Sequence, residues 1–173
     1  MDTQALSRRR LGMIAVGVIL VALAFMWVAA FAGWGSTESV DQLGDERWVA
    51  AARDVCATSR ERLDELPPAS SAETPQDRAG IVNDSIDILG SMTDQLAELD
   101  PPAAAEEAGW VREWLGDWDR HLDDRRRFVD QLESGREDAT FTESLRDERQ
   151  VSRFIDRFAR VNDMSLCGTP EDV

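Results

Sequence analysis

Three tryptophans recur at four-residue intervals, Trp110, Trp114 and Trp118, with Asp117, Asp119, His121, Asp123 and Asp124 set among them. Helical residues four apart are neighbours, so indoles at i, i+4 and i+8 form a broad stripe drifting slowly round one face. Two readings fit that stripe. In one, the rings pack a core, with the indole N–H groups satisfied at its edge. In the other, they wall a ligand groove or partner surface rimmed by acids. His121 is the only histidine, and Asp117 (i−4) and Asp124 (i+3) share its face, a trio that could hold a cation. The Glu-x-x-His spacing of di-metal sites in helical bundles is missing, because Trp118 stands where the glutamate belongs. No metal or cofactor is therefore expected, and a surface ion pair or an interfacial histidine is the expected state of His121. Arg125 falls on the apolar series of the same segment. It either snorkels at the seam edge or pairs across helices with a carboxylate such as Asp54, Glu61, Asp87 or Asp94.

The two cysteines, Cys56 and Cys167, have no C-x-x-C arrangement and no histidine beside them. In an exported chain, such a pair suggests a structural disulfide rather than a redox or metal site. An intermolecular bridge and two free thiols are the alternatives. Chain geometry supports the intramolecular bridge. With the end of the first helix beside the start of the fourth, Cys56 lies ~15 Å down the stack and the end of the fourth helix ~31 Å down. The four residues before Cys167 can climb back ~13 Å if extended, so the two thiols come level. No Ser-His-Asp, Cys-His, P-loop or GxGxxG pattern is present, and nucleophilic catalysis lacks its parts. The expectation is a protein that is not an enzyme.

These residues need elements to hold them, and Pro and Gly punctuation divides residues 40–173 into four helical stretches. The first runs over about 40–66, with Val49, Ala52, Cys56, Ser59, Leu63 and Leu66 in series, and stops at Pro67-Pro68. The second starts at Pro75 behind an N-cap Thr74 and carries Val82, Ile86, Leu89, Met92, Leu96 and Leu99 on one stripe. Asp100-Pro101-Pro102 restarts the chain, with Asp100 or a neighbour expected to cap the third helix. That helix runs over about 103–134 to Gly135, on Val111, Leu115, Trp118, Leu122, Arg125, Val129 and Leu132. A fourth, over about 142–163, turns Phe154, Ile155, Phe158 and Val161 to one side. No segment alternates with the period of a strand. Short connections between four helices predict an all-α, up-down-up-down antiparallel four-helix bundle with one disulfide.

Ahead of that domain, residues 11–34 contain no charged or strongly polar side chain. Twenty-four such residues exceed the ~20 needed to cross a ~30 Å hydrocarbon core. Trp27 and Trp34 lie toward one end, where indoles favour the headgroup zone, and Arg8, Arg9 and Arg10 abut the other. The positive-inside rule then leaves residues 1–10 in the cytoplasm as a basic tail and carries the helical domain across the cell membrane, with 35–39 as linker. Ala30-Phe31-Ala32 has the form of a signal-cleavage site. The apolar run through Val28 is nevertheless longer than the 7–15 residues of a signal h-region, so a retained single-pass anchor is preferred; either reading exports the domain.

The chain carries −15 overall; residues 1–10 hold three Arg against Asp2, which leaves −17 on the rest. Such a domain repels nucleic acid and anionic membrane surfaces. It is compatible with cationic partners, and equally with a charged surface that keeps an exported domain soluble. The expected partners are membrane lipid, through residues 11–34, and a membrane or envelope protein.

Two stretches resemble a group of uncharacterised actinobacterial single-pass membrane proteins with an extracytoplasmic helical domain. One is Trp114-Leu115-Gly116-Asp117-Trp118 followed by Asp124-Arg125-Arg126. The other runs through Ile155-Asp156-Arg157-Phe158-Ala159, Asn162-Asp163-Met164, Cys167, Pro170 and Asp172-Val173. The absence of Lys fits such a source. The resemblance covers under half the chain and implies anchoring and export; it brings no activity, cofactor or catalytic residue. The function expected is a membrane-anchored extracytoplasmic module that binds a partner protein or envelope component. The alternative is a ligand or cation sensor with a groove between the second and third helices, beside Trp114 and His121.

Overall fold

The computed structural model describes residues 17–23, 25–27, 41–136 and 138–170. The chain divides into two units, Met1–Glu38 and Ser39–Val173. In the first, residues 17–23 and 25–27 are helical and exposed. Among the described residues no helix is long and apolar enough to cross a membrane. The expected span over 11–34 lies largely outside the described residues, and Arg8, Arg9, Arg10 and the 35–39 linker lie wholly outside them.

The second unit is mostly helical. Helix α1 (Glu46–Asp64) is capped by Asp45, whose Oδ1 accepts from Trp48 N at 3.1 Å. It starts later than the expected residue 40, because residues 41–45 are spent on tertiary contacts. Leu43 is buried and its N–H donates to Asn162 Oδ1 at 2.7 Å, while Asn162 Nδ2 donates to Asp41 O at 3.2 Å. A short 3-10 turn, Ala69–Ser71, follows the two prolines. Helix α2 (Pro75–Glu98) begins as the sequence predicts, with Asp77 N donating to Thr74 Oγ1 at 3.1 Å and Pro75 in the first turn.

Helix α3 (Ala105–Glu133) ends near Gly135, whose φ of 77° is the left-handed conformation that glycine adopts without steric cost. Its N-cap is Ala104, with no side-chain cap, so the expectation that Asp100 or a neighbour caps it is not met. The side chain reaching this turn is Asp45, whose Oδ2 accepts from Ala103 N at 3.4 Å.

The largest departure follows α3. Helix α4 covers only Val151–Val161, eleven residues, instead of starting near 142. The residues before it form a small antiparallel hairpin, β1 (Leu145–Arg146) and β2 (Arg149–Gln150), with Leu145 opposite Gln150 and Arg146 opposite Arg149. Its turn residues Asp147 and Glu148 hold φ of 48° and 62°. Turns of that hand normally announce themselves by Asn-Gly or Asp-Gly, and Asp-Glu gives no such signal. The expected fourth helix over about 142–163 is therefore corrected at its start, where strands of two residues are too short to show alternation in the sequence.

Consecutive helices pack on one another, α1 on α2, α2 on α3 and α3 on α4, and the tail turn Ser165–Cys167 packs on both α1 and α4. Cys56 and Cys167 form a disulfide, with Cα atoms 5.1 Å apart, and both residues are fully buried. Beyond it, Asp156 Oδ1 accepts from Thr169 N at 2.8 Å and from Thr169 Oγ1 at 3.0 Å. A Cβ at Gly168 would stand 3.1 Å from that carboxylate oxygen, which favours glycine there. One core runs through the unit, from Trp48 and Ala52 through Leu89, Met92 and Leu122 to Ile155 and Phe158.

Candidate functional site

The tryptophan stripe divides along its length. Trp118 is fully buried and Trp114 nearly so, while Trp110 is half-buried at the core's edge. Trp114 stacks on Phe158 of α4 with centroids 5.1 Å apart, meets Trp48 of α1 edge-on at 6.4 Å, and donates from Nε1 to Ile155 O at 3.2 Å. One ring therefore joins α1, α3 and α4. The geometry is that of core packing, with one indole N–H satisfied and one wall of the stripe reaching the surface at Trp110.

His121 is buried beneath the segment that joins α3 to the hairpin, edge-on to Trp118 and to Phe141, each with centroids 5.7 Å away. Among the described residues neither ring nitrogen has a hydrogen-bond partner, and neither has Trp118 Nε1. Burial pushes its pKa below the ordinary 6.5, and nearby Arg125 pushes the same way against the weaker pull of Glu143, Asp124 and Asp156. Both effects favour the neutral imidazole. Arg125 is fully buried and donates from Nη2 to Ser85 Oγ on α2 at 2.8 Å. Asp54, Glu61, Asp87 and Asp94, the carboxylates considered for it, are all exposed.

The two aspartates flanking His121 do different work from that expected of a cation trio. Asp124 Oδ2 accepts from Ser144 N at 2.6 Å, and its Oδ1 from Ser144 Oγ at 2.7 Å and from Arg127. Asp117 pairs with Arg120 at 2.7 Å and with Arg146 of the hairpin. Both carboxylates are about 1 % exposed. They lie seven residues apart on α3 and clamp the two ends of the 144–146 stretch. Desolvation raises the Asp117 pKa above 3.8, partly opposed by Arg146 and then Arg120. Among the described residues no cluster of His, Cys, Asp and Glu is arranged to hold a metal ion.

Arg146 also pairs with Glu113 and lies over the Phe154 ring, 4.4 Å from its centroid. These groups line a cleft of about 90 Å³ between α3 and α4, rather than between the second and third helices. Trp110, Trp114, Phe154 and Phe158 supply its aromatic walls. Asp41, Glu113 and Asp117 supply three carboxylates, and Arg146 and Arg157 two guanidiniums. Arg157 pairs with Asp41 at 2.8 Å. Just outside, Leu145 is 67 % exposed on the hairpin.

Of the residues singled out from sequence, the structure joins Trp110 and Trp114 in this cleft and places Trp118, His121 and Arg125 inside the core. Glu113 and above all Arg146 carry no signal in the sequence, and Phe154 and Arg157 stand there only as parts of a helix face and a tail motif. Their role depends on the hairpin, for which the sequence offers no turn signal. Comparison with protein families, with characterised proteins and with solved structures finds no match.

Proposed function

We propose that this chain is a membrane-anchored extracytoplasmic helical module, not an enzyme, that binds a partner protein or envelope component through the α3–hairpin face. The observation that carries the reading is the clamped hairpin. Two buried aspartates hold a two-residue-stranded loop whose Leu145 is left projecting into solvent. A loop held in one place by two buried carboxylates suits a recognition element, because binding residues commonly sit on loops positioned by a rigid scaffold.

The apolar run 11–34 and Arg8–Arg10 support the anchor and its orientation. The buried Cys56–Cys167 bridge supports a domain outside the cytoplasm, where disulfides persist. For the helices, we read an antiparallel four-helix bundle in which α4 is short and the disulfide-linked tail turn completes the contact with α1. The second reading, a ligand or cation-binding domain beside the tryptophan helix, is favoured by the aromatic and acidic lining of the α3–α4 cleft.

The test is a photo-crosslinking amino acid at position 145 of the full chain in native membranes, with position 84 on α2 as control. A discrete adduct at 145 that is missing at 84 is expected. Monomer alone at both positions would defeat the reading.

A further inference from the structure

At the end of α1 away from its Asp45 cap, the chain forms an open cavity of about 420 Å³ that shares no lining residue with the α3–α4 cleft. Its walls come from the last turns of α1, the 66–70 connection, the start of α2 and the tail residue Pro170. Those walls are held in place. The rings of Pro67 and Pro68 lock their φ, and Pro68 O accepts from Ser71 N at 2.9 Å and from Ser71 Oγ at 2.7 Å. Pro170 is carried to the cavity by the Cys56–Cys167 bridge and by the bonds of Thr169 to Asp156. The volume falls within the ~300–1,000 Å³ of small-molecule sites. Leu63, Leu66, Pro67, Pro68, Ile81 and Pro170 make most of the lining apolar.

Against one carboxylate, Asp64, that lining sets two guanidiniums, Arg60 and Arg78, a local charge of +1 on a strongly acidic domain. Among the described residues neither arginine has an ion pair, and Asp64, one helical turn after Arg60, pairs with neither. Arg78 is held instead by an aromatic face, its Cζ 5.2 Å from the centroid of the Phe128 ring. Its Nε is buried with no acceptor, whereas most buried side-chain polar atoms have a partner. Its Nη groups make no bond within the described residues and are not buried. A guanidinium fixed on one side, left without a counter-charge and set among apolar walls suits an oxyanion with an apolar body, because its planar fork matches a carboxylate. Repulsion of anions by the domain's distant acids is screened beyond ~8 Å at physiological salt, so the local charge decides at contact.

We propose that this cavity binds a small amphipathic carboxylate. Arg78 pairs with the carboxylate, Arg60 adds charge beside it, and Leu63, Leu66, Pro68 and Ile81 take the apolar body. The proposal does not rest on the α3–hairpin reading, which position 145 tests separately. Isotope-labelled full chain in detergent is titrated with 3-phenylpropionate, with its neutral amide and with acetate, and followed residue by residue by NMR. Saturable shifts centred on residues 63–70 and 78–81 are expected with 3-phenylpropionate, and at least tenfold weaker binding of the amide and of acetate. Arg78→Gln should weaken 3-phenylpropionate at least tenfold. Arg60→Gln should weaken it at least threefold, and serves if Arg78→Gln fails to fold. No saturable shift at those residues, equal affinity for 3-phenylpropionate and either comparison ligand, or wild-type affinity in a folded variant overturns the proposal.

Discussion

Asp124 on α3 accepts two hydrogen bonds from Ser144, one from its backbone N–H at 2.6 Å and one from its hydroxyl at 2.7 Å, across twenty residues of sequence. A fully buried carboxylate is costly unless its lone pairs are used, and here Ser144 and Arg127 use them. The bond fixes where the chain leaves α3's surface and so where the hairpin stands.

Asp124→Ala should cost about 2–3 kcal/mol, because it leaves the Ser144 N–H and the Arg127 guanidinium without this acceptor. For a domain of this size that is a fall in Tm of roughly 6–12 °C. Hydrogen exchange would localise the damage: amides of 141–150 should lose protection well before those of α2. Uniform loss across the unit would contradict the clamp.

The Cys56–Cys167 bridge closes a separation of 111 residues. The chain-entropy model assigns a loop of that length ~4–5 kcal/mol, as an upper figure. Replacing both cysteines by serine should therefore lower the urea midpoint markedly, and free the tail beyond Met164 to protease. A double variant with an unchanged midpoint would show that the bridge adds nothing to the packing of Met164 and Asp156.

The pH response has two limbs of opposite sign. The folded pKa of His121 is depressed below 6.5, so its neutral burial is fully tolerated above that value and stability is lost as pH falls below it toward the folded pKa. The folded pKa of Asp117 is raised above 3.8, so its contribution is complete below that value and is lost as pH rises through the folded pKa. His121→Phe should abolish the first limb and leave the second. Denaturant titrations across pH 4–8 check this, and a wild-type acid slope that survives in His121→Phe would assign it to another group.

Asp147 and Glu148 hold positive φ without being glycine or asparagine. Asp147→Asn with Glu148→Gly should therefore stabilise the hairpin by about 0.5–1 kcal/mol, read as a small rise in Tm. A fall in Tm would mean that the Asp147 or Glu148 side chain makes a contact that outweighs the backbone gain.

What was legible in the sequence follows from which forces act locally. Proline pairs, the Thr74-Pro75 start and the 3-4 spacing of Val82, Ile86 and Leu89 are local signals, and α2 appears where they place it. Cys56 and Cys167 are a pair that an exported chain without C-x-x-C spacing favours joining, helix rise brings them level, and the bridge is present. The start of α1 and the whole 141–150 segment depend on long-range bonds, Leu43 to Asn162 and Ser144 to Asp124, which no local pattern encodes. The aspartates around His121 were seen as a constellation, but their partners lay in the segment read as helix, so their clamping role was hidden. Trp110 and Trp114 were marked as a candidate wall; the cleft they line needed Phe154 and Arg146, brought in by the shortened α4 and the hairpin.

The proposed placement of the domain, outside the cytoplasm on a membrane tether, can be tested directly. The most direct measurement is a reporter enzyme that gains activity only outside the cytoplasm, fused after Val173 in a bacterial host, with membrane and soluble fractions assayed separately. Active reporter is expected in the membrane fraction, with loss of that activity when residues 11–34 are deleted. Reporter that is inactive, or active without those residues, would contradict it.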